Sequence, residues 1–206
     1  MNEKGILIVI SGFSGAGKGT LVKGLMRRYN NYALSISATT RRPRLGEVDE
    51  REYFFKTKEE FLKMIDEDKL IEYAEYVGNF YGTPKEYVDR QLNSGKDVIL
   101  EIEIQGALNV KEKFPDTLLL FITPPSAQTL RCRLIGRGTE DLMTIESRLK
   151  RASEEAEGIE KYDYFVINDD LDECIVRTHS IIQGEHSRAS RNISNIELIR
   201  EELKGF

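Results

Sequence analysis

A stretch of nine residues near the N-terminus carries the residue types that bind phosphate groups. It reads Gly12-Phe13-Ser14-Gly15-Ala16-Gly17-Lys18-Gly19-Thr20, and it lies between an apolar run, Ile6–Ile10, and apolar residues at helical spacing from Leu21 to Met26. This order of buried strand, glycine-rich turn and helix is the setting of a phosphate-binding loop. Glycines let backbone N–H groups converge on an anion, the helix N-terminus adds the positive end of its dipole, and Lys18 adds a mobile charge. The alternative interpretation is a glycine-rich connection that binds no ligand.

The loop departs from its usual pattern at one position. Gly19 follows the lysine, where such loops have a serine or threonine whose hydroxyl meets the metal ion of a nucleotide. We therefore expect Thr20 to be a candidate metal ligand, together with water, the bound phosphates and the carboxylate of Glu101.

A second group of basic residues lies in the segment Ala38–Glu47, which contains Arg41, Arg42 and Arg44. Pro43 interrupts them, so the segment does not read as one face of a helix. Arginine presents two parallel N–H groups to a phosphate, and the cluster therefore predicts a second anion site. A charged surface loop is the competing interpretation.

Composition limits the classes of protein to which the chain can belong. Its 206 residues carry a formal net charge of -5, which argues against general nucleic-acid binding because such proteins carry a basic excess. Cys132 and Cys174 lie far apart without metal-ligand spacing, so reduced thiols are expected. No apolar stretch is long enough to span a membrane, and the first residues do not read as a secretory signal. We expect a soluble, cytoplasmic protein.

The elements that hold these residues alternate between strands and helices. The segments predicted as strands are Ile6–Ile10, Tyr32–Ser37, Asp97–Glu103, Thr117–Ile122 and Tyr164–Asn168. The helices predicted among them are Pro84–Asn93, Gln105–Lys113, Ala127–Ile135, Glu140–Glu157 and Leu171–Gln183. Because at least three buried strands alternate with helices, the expected fold is α/β, with three layers and a mainly parallel central sheet flanked by helices.

Two parts of the chain depart from this alternation. Residues Tyr53–Tyr81 read as a short strand, a helix and a hairpin, which predicts an inserted small mixed α/β subdomain. The predicted helices Ala127–Ile135 and Glu140–Glu157 carry arginines and are separated by Gly136-Arg137-Gly138. This pattern predicts a mobile helical lid that brings positive charge to a site when it closes. An exposed helix pair with ordinary salt bridges is the alternative.

Two glutamates stand at the carboxyl end of the third predicted strand. Glu101 and Glu103 are expected to point to the same face, because side chains on a strand alternate. Ligands of open α/β sheets bind outside this end of the strands. A buried carboxylate without a partner is unstable, so we expect a metal, a base or an arginine nearby.

The last part of the chain predicts one more helix. Apolar residues recur at intervals of three and four over Ile193–Leu203, with charged residues between them. We expect this amphipathic helix to pack its apolar side on the core, and we assign it no chemistry.

A phosphate loop, two arginine clusters and carboxylates at a strand end together indicate phosphoryl transfer. That reaction needs in-line positioning and neutralisation of charge on the moving group, with little covalent work by the protein. The loop would hold the donor, the Arg41–Arg44 cluster would hold a phosphate of the acceptor, and Arg137 would arrive between them. A hydrolase or GTPase switch would need one phosphate site and a residue that positions water.

From about Ile6 to Ile182 the chain resembles the guanylate kinases, which are nucleoside monophosphate kinases. Beyond the phosphate loop, the motifs that carry the resemblance are Ser37–Glu47, Tyr53, Glu72, Gly78–Thr83, Glu101–Gly106, Pro124–Ser126, Gly136–Thr139 and Asn168–Asp170. They occur in the family's order, and the segment Ser37–Arg44 is close to diagnostic. Many family members have aspartates where this chain has Glu101 and Glu103.

The resemblance implies roles for the matching residues. It implies that the GMP phosphate is bound by Arg41, Arg44, Tyr53 and Tyr81. It implies that guanine is read by Ser37, Glu72, Thr83 and Glu103, with Glu101 also in the GMP site. Guanine presents its N1–H and amino groups as donors, which carboxylates accept. It implies that ATP is bound by Gly12, Phe13, Ser14, Gly15, Ala16, Gly17, Lys18, Gly19, Thr20, Arg133, Arg137 and Asn168. The implied catalytic residues are Lys18, Arg41, Arg133, Arg137 and Arg148.

The resemblance also implies an activity and an organisation of the chain. The reaction would be direct, in-line transfer of the γ-phosphoryl group of ATP to GMP with Mg²⁺, giving ADP and GDP, within purine nucleotide metabolism and the recycling of GMP and dGMP. No nucleic acid and no membrane would take part, and the oligomeric state stays undetermined. The whole chain, 1–206, would be one domain, with a core of 1–35, 84–124 and 159–206, a GMP-binding subdomain of 36–83 and a lid of 125–158.

Two other functions fit part of the pattern. Guanylate-kinase-like domains of scaffolding proteins bind peptides at the monophosphate site, but they typically lose the phosphate loop or the lid arginines, which this chain retains. A kinase for another small phosphorylated acceptor would retain both, because a fold does not fix a substrate. Replacing Glu72 with glutamine discriminates here, since it should impair guanine recognition specifically.

Overall fold

Two β-sheets and the helices around them make up the part of the chain that the computed structural model describes, residues 4–76, 78–136 and 141–206. The strands are β1 (Leu7–Gly12), β2 (Tyr32–Leu34), β3 (Ala38–Thr39), β4 (Phe54–Phe55), β5 (Leu70–Tyr76), β6 (Asn79–Pro84), β7 (Asp97–Glu101), β8 (Leu118–Thr123) and β9 (Tyr164–Ile167). The helices are α1 (Lys18–Arg28), α2 (Lys58–Asp66), α3 (Lys85–Asn93), α4 (Ile104–Lys113), α5 (Ala127–Gly136), α6 (Leu142–Glu155), α7 (Leu171–His186) and α8 (Ile193–Leu203).

The first sheet is parallel throughout, with the strand order β2-β7-β1-β8-β9. Its central strands β1 and β8 are apolar and buried along their whole length, as expected for strands that helices cover on both faces. Side chains alternate between the two faces: Ile8 and Ile10 pack with residues of α1 and α7, whereas Leu7 and Val9 pack with residues of α3 and α4. The predicted three-layer α/β fold with a mainly parallel sheet is confirmed.

The second sheet is mixed and has the strand order β4-β3-β6-β5. Strands β5 and β6 form the predicted antiparallel hairpin, with Tyr76 paired to Asn79. One side of this sheet packs on α2 through a small core of Ala38, Phe61 and Leu70. Helix α2 begins at a capping box, in which Thr57 and Glu60 each accept a hydrogen bond from the other's backbone N–H.

The predicted strand Tyr32–Ser37 is shorter than expected. Strand β2 ends at Leu34, and the backbone N–H of Ser35 donates to the carbonyl of Ile99 at 2.8 Å as the chain leaves the first sheet. Ala38 then begins β3 in the second sheet. The alternating pattern read from the sequence therefore spans the passage from one sheet to the other, which local periodicity does not reveal.

The expectation that Glu101 and Glu103 share one face of a strand is wrong. Strand β7 ends at Glu101, and Glu103 occupies the N-cap position of α4 without a capping hydrogen bond from its side chain. Only the first glutamate therefore belongs to the strand.

The last helix forms as predicted, but its apolar side does not pack on the core. Ile193, Ile199 and Leu203 are 50%, 55% and 63% exposed. Hydrophobic periodicity predicts that a segment is helical, whereas it does not say which surface the apolar side meets. None of the helices in the described part of the chain combines the length and apolar character that crossing a bilayer requires.

A buried carboxylate ties the first and last parts of the core together. Asp97, at the start of β7, accepts hydrogen bonds from the Ile6 backbone N–H at 2.8 Å and from the Asn31 amide at 3.2 Å. Its Oδ1 also lies 2.9 Å from Nε2 of His186, at the end of α7. We predict that Asp97→Ala lowers the free energy of unfolding by about 3 kcal/mol, because it leaves these buried groups without their acceptor.

Urea unfolding followed by circular dichroism measures this difference. Asp89→Ala, on the exposed side of α3, is the matched control and should change the free energy of unfolding by less than about 0.5 kcal/mol. Equal stabilities of the two variants would contradict the role given to Asp97.

Candidate active site

The glycine-rich loop joins the end of β1 to the start of α1 in a backbone conformation that requires glycine. Gly15 and Gly17 have φ angles of 95° and 91°, in the left-handed region. A Cβ on Gly17 would lie 2.5 Å from Nδ2 of Asn168, and one on Gly15 would lie 2.9 Å from Leu134. No side chain of a described residue caps the start of α1, so its first N–H groups point to the place where an anion would bind.

The lysine of the loop folds back over the loop itself. Lys18 Nζ donates to the carbonyl oxygens of Gly12 at 2.6 Å and Phe13 at 3.2 Å. The ammonium group is therefore held at the mouth of the loop. A bound phosphate would offer it a charged acceptor in place of neutral carbonyls, which makes a stronger hydrogen bond.

Asn168 supports the loop from the end of β9. Its side-chain amide is buried and donates to the carbonyl of Ala16 at 2.8 Å. The resemblance implied a place for this residue in the ATP site, and the structure places its amide against the backbone of the phosphate loop.

Two of the three predicted lid arginines reach the phosphate loop. Arg148, on α6, donates to the hydroxyl of Ser14. Arg133, on α5, approaches the carbonyl of Ala16 at 3.5 Å and donates to that of Asp169 at 3.3 Å. The third, Arg137, lies outside the described residues.

The two helices that carry these arginines pack on each other and on the loop. Leu130 and Leu134 of α5 form a small core with Ile145 and Ala152 of α6, and Phe13 of the loop packs against it. A change in the position of the helix pair would therefore alter the packing around Phe13 in the loop.

The predicted phosphate clamp assembles around Arg41 on the second sheet. Its guanidinium lies 5.2 Å from the centre of the Tyr53 ring, and the rings of Tyr53 and Tyr81 are 6.1 Å apart. Arg41 Nη2 donates to Glu47 Oε1 at 2.9 Å, while the backbone N–H of Arg44 donates to Glu47 Oε2 at 2.7 Å. These two hydrogen bonds hold the pKa of Glu47 below its usual range. One carboxylate thus holds the side chain of Arg41 and the backbone at Arg44.

Two of the residues predicted to read guanine, Glu72 and Thr83, lie on the adjoining strands β5 and β6. The buried hydroxyl of Thr83 donates to Glu72 Oε1 at 2.7 Å. Burial raises the pKa of Glu72, and the hydrogen bond from Thr83 and the charge of Lys113 offset part of this shift. A Cβ on Gly106 would lie 3.7 Å from Glu72 Oε2, so the glycine leaves space beside the carboxylate. Ser37 lies in the segment between β2 and β3, and its carbonyl accepts from the Phe54 backbone N–H at 2.9 Å.

The two strand-end glutamates face different neighbours. The carboxylate oxygens of Glu101 lie 3.6 Å from the position a Cβ on Gly19 would occupy, so this side chain adjoins the phosphate loop. Desolvation raises the pKa of Glu101, and the charges of Lys18 and Lys23 oppose the shift. Glu103 instead pairs with Arg151 of α6 at 3.2 Å, which is the kind of partner expected for it.

Magnesium is compatible with the donors at the loop. No cluster of three or more histidine, cysteine, aspartate or glutamate side chains positioned for a metal occurs among the described residues. A magnesium ion bound with a nucleotide uses one or two protein oxygens, with phosphates and water filling the remaining positions. Glu101 and the exposed hydroxyl of Thr20 are such oxygens.

Two functional contacts were missing from the predicted set. Glu47 lies six residues from Arg41, and the opposite charge within one loop is a signal that could have identified it. Arg151 is 48 residues from Glu103, and local sequence carries no sign of that ion pair.

A phosphate loop placed after the first strand of a parallel sheet, with arginines from a neighbouring helix pair, defines a P-loop kinase fold. Comparison with known proteins gives the family, because the guanylate kinase family model matches residues 4–185. The chain belongs to the guanylate kinase family of nucleoside monophosphate kinases, as the sequence motifs predict.

Individual members of the family are similar to this chain over nearly its whole length. The chain is 49% identical over 204 residues to the guanylate kinase of Lactococcus lactis subsp. lactis, which covers 99% of this chain and 100% of that protein. It is 52% identical over 202 residues to the guanylate kinase of Caldanaerobacter subterraneus subsp. tengcongensis, with 98% of each covered. The crystal structure of guanylate kinase from Anaplasma phagocytophilum superposes with a TM-score of 0.76 at 31% identity, covering 98% of this chain and 96% of that one.

Proposed function

We propose that this protein transfers the γ-phosphoryl group of ATP to GMP and releases ADP and GDP. The observation that carries the proposal is the arrangement at the second sheet, where the Glu72–Thr83 pair joins β5 to β6 and Tyr81 of β6 lies near Tyr53 and Arg41, which flank β4 and β3. One half suits the donor groups of guanine, and the other suits a phosphate.

The phosphate loop would bind the donor. Its backbone N–H groups and Lys18 hold the β- and γ-phosphates, and Arg133 and Arg148 already contact the loop from the helix pair. In the reaction an oxygen of the GMP phosphate attacks the γ-phosphorus while the bond to the leaving oxygen of ADP breaks. Lys18, Arg133, Arg148 and Arg137 would stabilise the negative charge on the transferring group.

GMP would be held by both halves of its site. Arg41, Arg44, Tyr53 and Tyr81 would bind its phosphate, and Ser37, Glu72, Thr83 and Glu103 would read its base. The N1–H and amino group of guanine donate to carboxylates, whereas the N1 of adenine is an acceptor that would face the Glu72 carboxylate unfavourably. The same contacts allow dGMP, because none of them needs the 2′-hydroxyl.

Magnesium, organisation and cellular location complete the proposal. Thr20 and Glu101 would hold Mg²⁺ with water and the ATP phosphates, and the bound ion would neutralise charge on those phosphates. Residues 36–83 would form the GMP-binding subdomain, 125–158 the lid, and the rest the core of one domain. We place the enzyme in the cytoplasm, where its nucleotide substrates are made and used and where free thiols such as Cys132 and Cys174 persist.

A direct assay tests the function. Purified protein is supplied with ATP, Mg²⁺ and each nucleoside monophosphate in turn, and the products are separated by chromatography. We expect GMP to be converted to GDP with equal formation of ADP. Failure to convert GMP, or faster conversion of AMP, would overturn the proposal.

The dependence of KM for GMP on pH, on the acid side, should show the protonation of Glu72. Guanine binding needs the ionised carboxylate, and burial raises the pKa of this group above its ordinary value of 4.5. We therefore predict that KM for GMP increases as pH falls, starting at a higher pH than an exposed glutamate would produce. Glu72→Gln should increase KM for GMP by about 10- to 100-fold at neutral pH, because its amide N–H₂ faces the donors of the base.

The KM for GMP of Glu72→Gln divided by that of the wild type isolates the effect of ionising the Glu72 carboxylate. The phosphate of GMP titrates near pH 6 in both enzymes, so the ratio of Glu72→Gln to wild type removes that contribution. The ratio should be largest at neutral pH and decrease as the pH falls. A ratio independent of pH would contradict the assignment.

A further inference from the structure

A cavity of about 690 Å³ lies at the opposite end of the parallel sheet from the phosphate loop. It is bordered by Gly5, Ile6 and Leu7, where β1 begins, and by Thr117, just before β8. The phosphate loop follows the other end of β1, six residues along the strand and therefore about 20 Å away. No phosphate-loop residue is among the described residues that line the cavity.

The lining combines an apolar floor with a basic rim. Leu7, Ile71, Val88, Leu92 and Phe114 provide apolar surface. The charged residues at the rim are Lys4, Lys85, Lys113, Arg191, Asp89 and Asp116, with His186 beside them. Sites for small molecules have this size and this composition, with a few polar groups that converge on an apolar pocket.

The basic groups outnumber the acidic groups, and two of them are available to a ligand. Within the described residues, Lys4 and Lys113 are exposed and make no ion pair. Lys85 is paired with Asp68, and Arg191 is engaged with Glu185 and with a backbone carbonyl. The cavity therefore offers two lysine ammonium groups above an apolar surface.

The cavity also adjoins the half of the molecule that carries the guanine-reading pair. Ile71 lines it, and the next residue of β5 is Glu72. Lys113 is close enough to Glu72 for its positive charge to favour the ionised carboxylate. An anion bound to Lys113 would cancel that charge.

We propose that this cavity binds a small molecule in which a phosphate or carboxylate group is joined to an apolar ring or chain, and that its binding weakens the binding of GMP. The anion would lie between Lys4 and Lys113, and the apolar part would cover Val88, Leu92 and Phe114. Binding itself is independent of the function proposed above, whereas the effect on GMP rests on that function.

The first experiment measures binding. The catalytic cleft is blocked with an analogue that joins adenosine to guanosine through five phosphates, and phenyl phosphate or benzoate is then titrated against methyl-labelled protein by NMR. We expect saturable shifts of the Ile71, Val88 and Leu92 methyl groups in the millimolar range, and the stronger of the two probes identifies the preferred anion. Lys113→Glu and Lys4→Glu should each weaken binding at least tenfold.

Lys161→Glu is the matched control, because it makes the same charge change on an exposed residue that does not line the cavity. Its binding of either probe should equal that of the wild type. The absence of shifts at these methyl groups, or equal binding by all three variants, would overturn the proposed site.

The second experiment measures the effect on GMP. Phenyl phosphate should increase KM for GMP in the wild type and in Lys161→Glu and leave KM for ATP unchanged. The increase should disappear in Lys4→Glu at the same probe concentrations, because this variant binds the probe at least tenfold more weakly, and Lys4 is not among the charges that act on Glu72. An increase that persists in Lys4→Glu would mean that the probe competes at the phosphate clamp, and this would overturn the coupling.

Discussion

Lys18→Met is expected to leave the protein folded and to lower kcat by about 10³-fold or more. The ammonium of Lys18 is held at the mouth of the phosphate loop by two carbonyl oxygens and is the full positive charge within the loop itself. In phosphoryl transfer the negative charge moves onto the leaving and transferring oxygens, and a positioned cation stabilises that change more than it stabilises bound ATP. The loss should therefore appear mainly in kcat.

Lys23→Met supplies the control for this prediction. Lys23 lies on the next turn of α1, is exposed, and carries the same charge on the same helix. Its replacement should change kcat by less than about threefold, because its exposed charge acts on Glu101 only through a weak interaction that solvent screens. Single-turnover measurements with each variant separate the chemical step from product release. A Lys18→Met enzyme within a few-fold of the wild type would show that this lysine does not act in the transition state.

Features set by local sequence were predictable. The order of strand, glycine turn and helix around Lys18 uses short-range patterns, and the left-handed φ angles of Gly15 and Gly17 explain why glycine is needed there. The parallel sheet was predictable for the same reason, because each buried strand and each helix shows a pattern within its own short segment.

Features that depend on distant parts of the chain were not predictable in the same way. Asn168 holds the phosphate loop from a position 152 residues along the chain. The passage of the chain between two sheets after Leu34 looks locally like one strand. The helix Ile193–Leu203 was predicted from its period, but the period does not show whether a partner surface lies within reach. Tertiary geometry decides all three.

The resemblance to a family supplied what physics alone left open. Composition and spacing indicated two anion sites, and an arginine cluster does not distinguish one phosphorylated acceptor from another. The Glu72–Thr83 contact joins residues 11 positions apart across a hairpin. It gives the guanine assignment a physical basis, because a half-buried carboxylate with a fixed orientation selects a ligand that donates two hydrogen bonds.

Arg41→Met is expected to increase KM for GMP by about 100-fold, the size of two charge-assisted hydrogen bonds to a phosphate. Arg41 is stacked near Tyr53 and is held through Nη2 by Glu47, so its remaining N–H groups have a fixed direction. KM for ATP should change by less than about threefold, because the donor binds at the phosphate loop. Steady-state kinetics with each substrate varied in turn give both values.

Two further substitutions in the same loop show whether charge or geometry is responsible. Arg42→Met removes an equal charge from the exposed neighbouring residue, and KM for GMP should stay within about threefold of the wild-type value. Arg41→Lys retains the charge but cannot present the planar pair of N–H groups that Glu47 orients, so its KM should lie between those of the wild type and Arg41→Met. If Arg42→Met were as impaired as Arg41→Met, the loop would act through its net charge, and the contact between Arg41 and Glu47 would have no part in binding GMP.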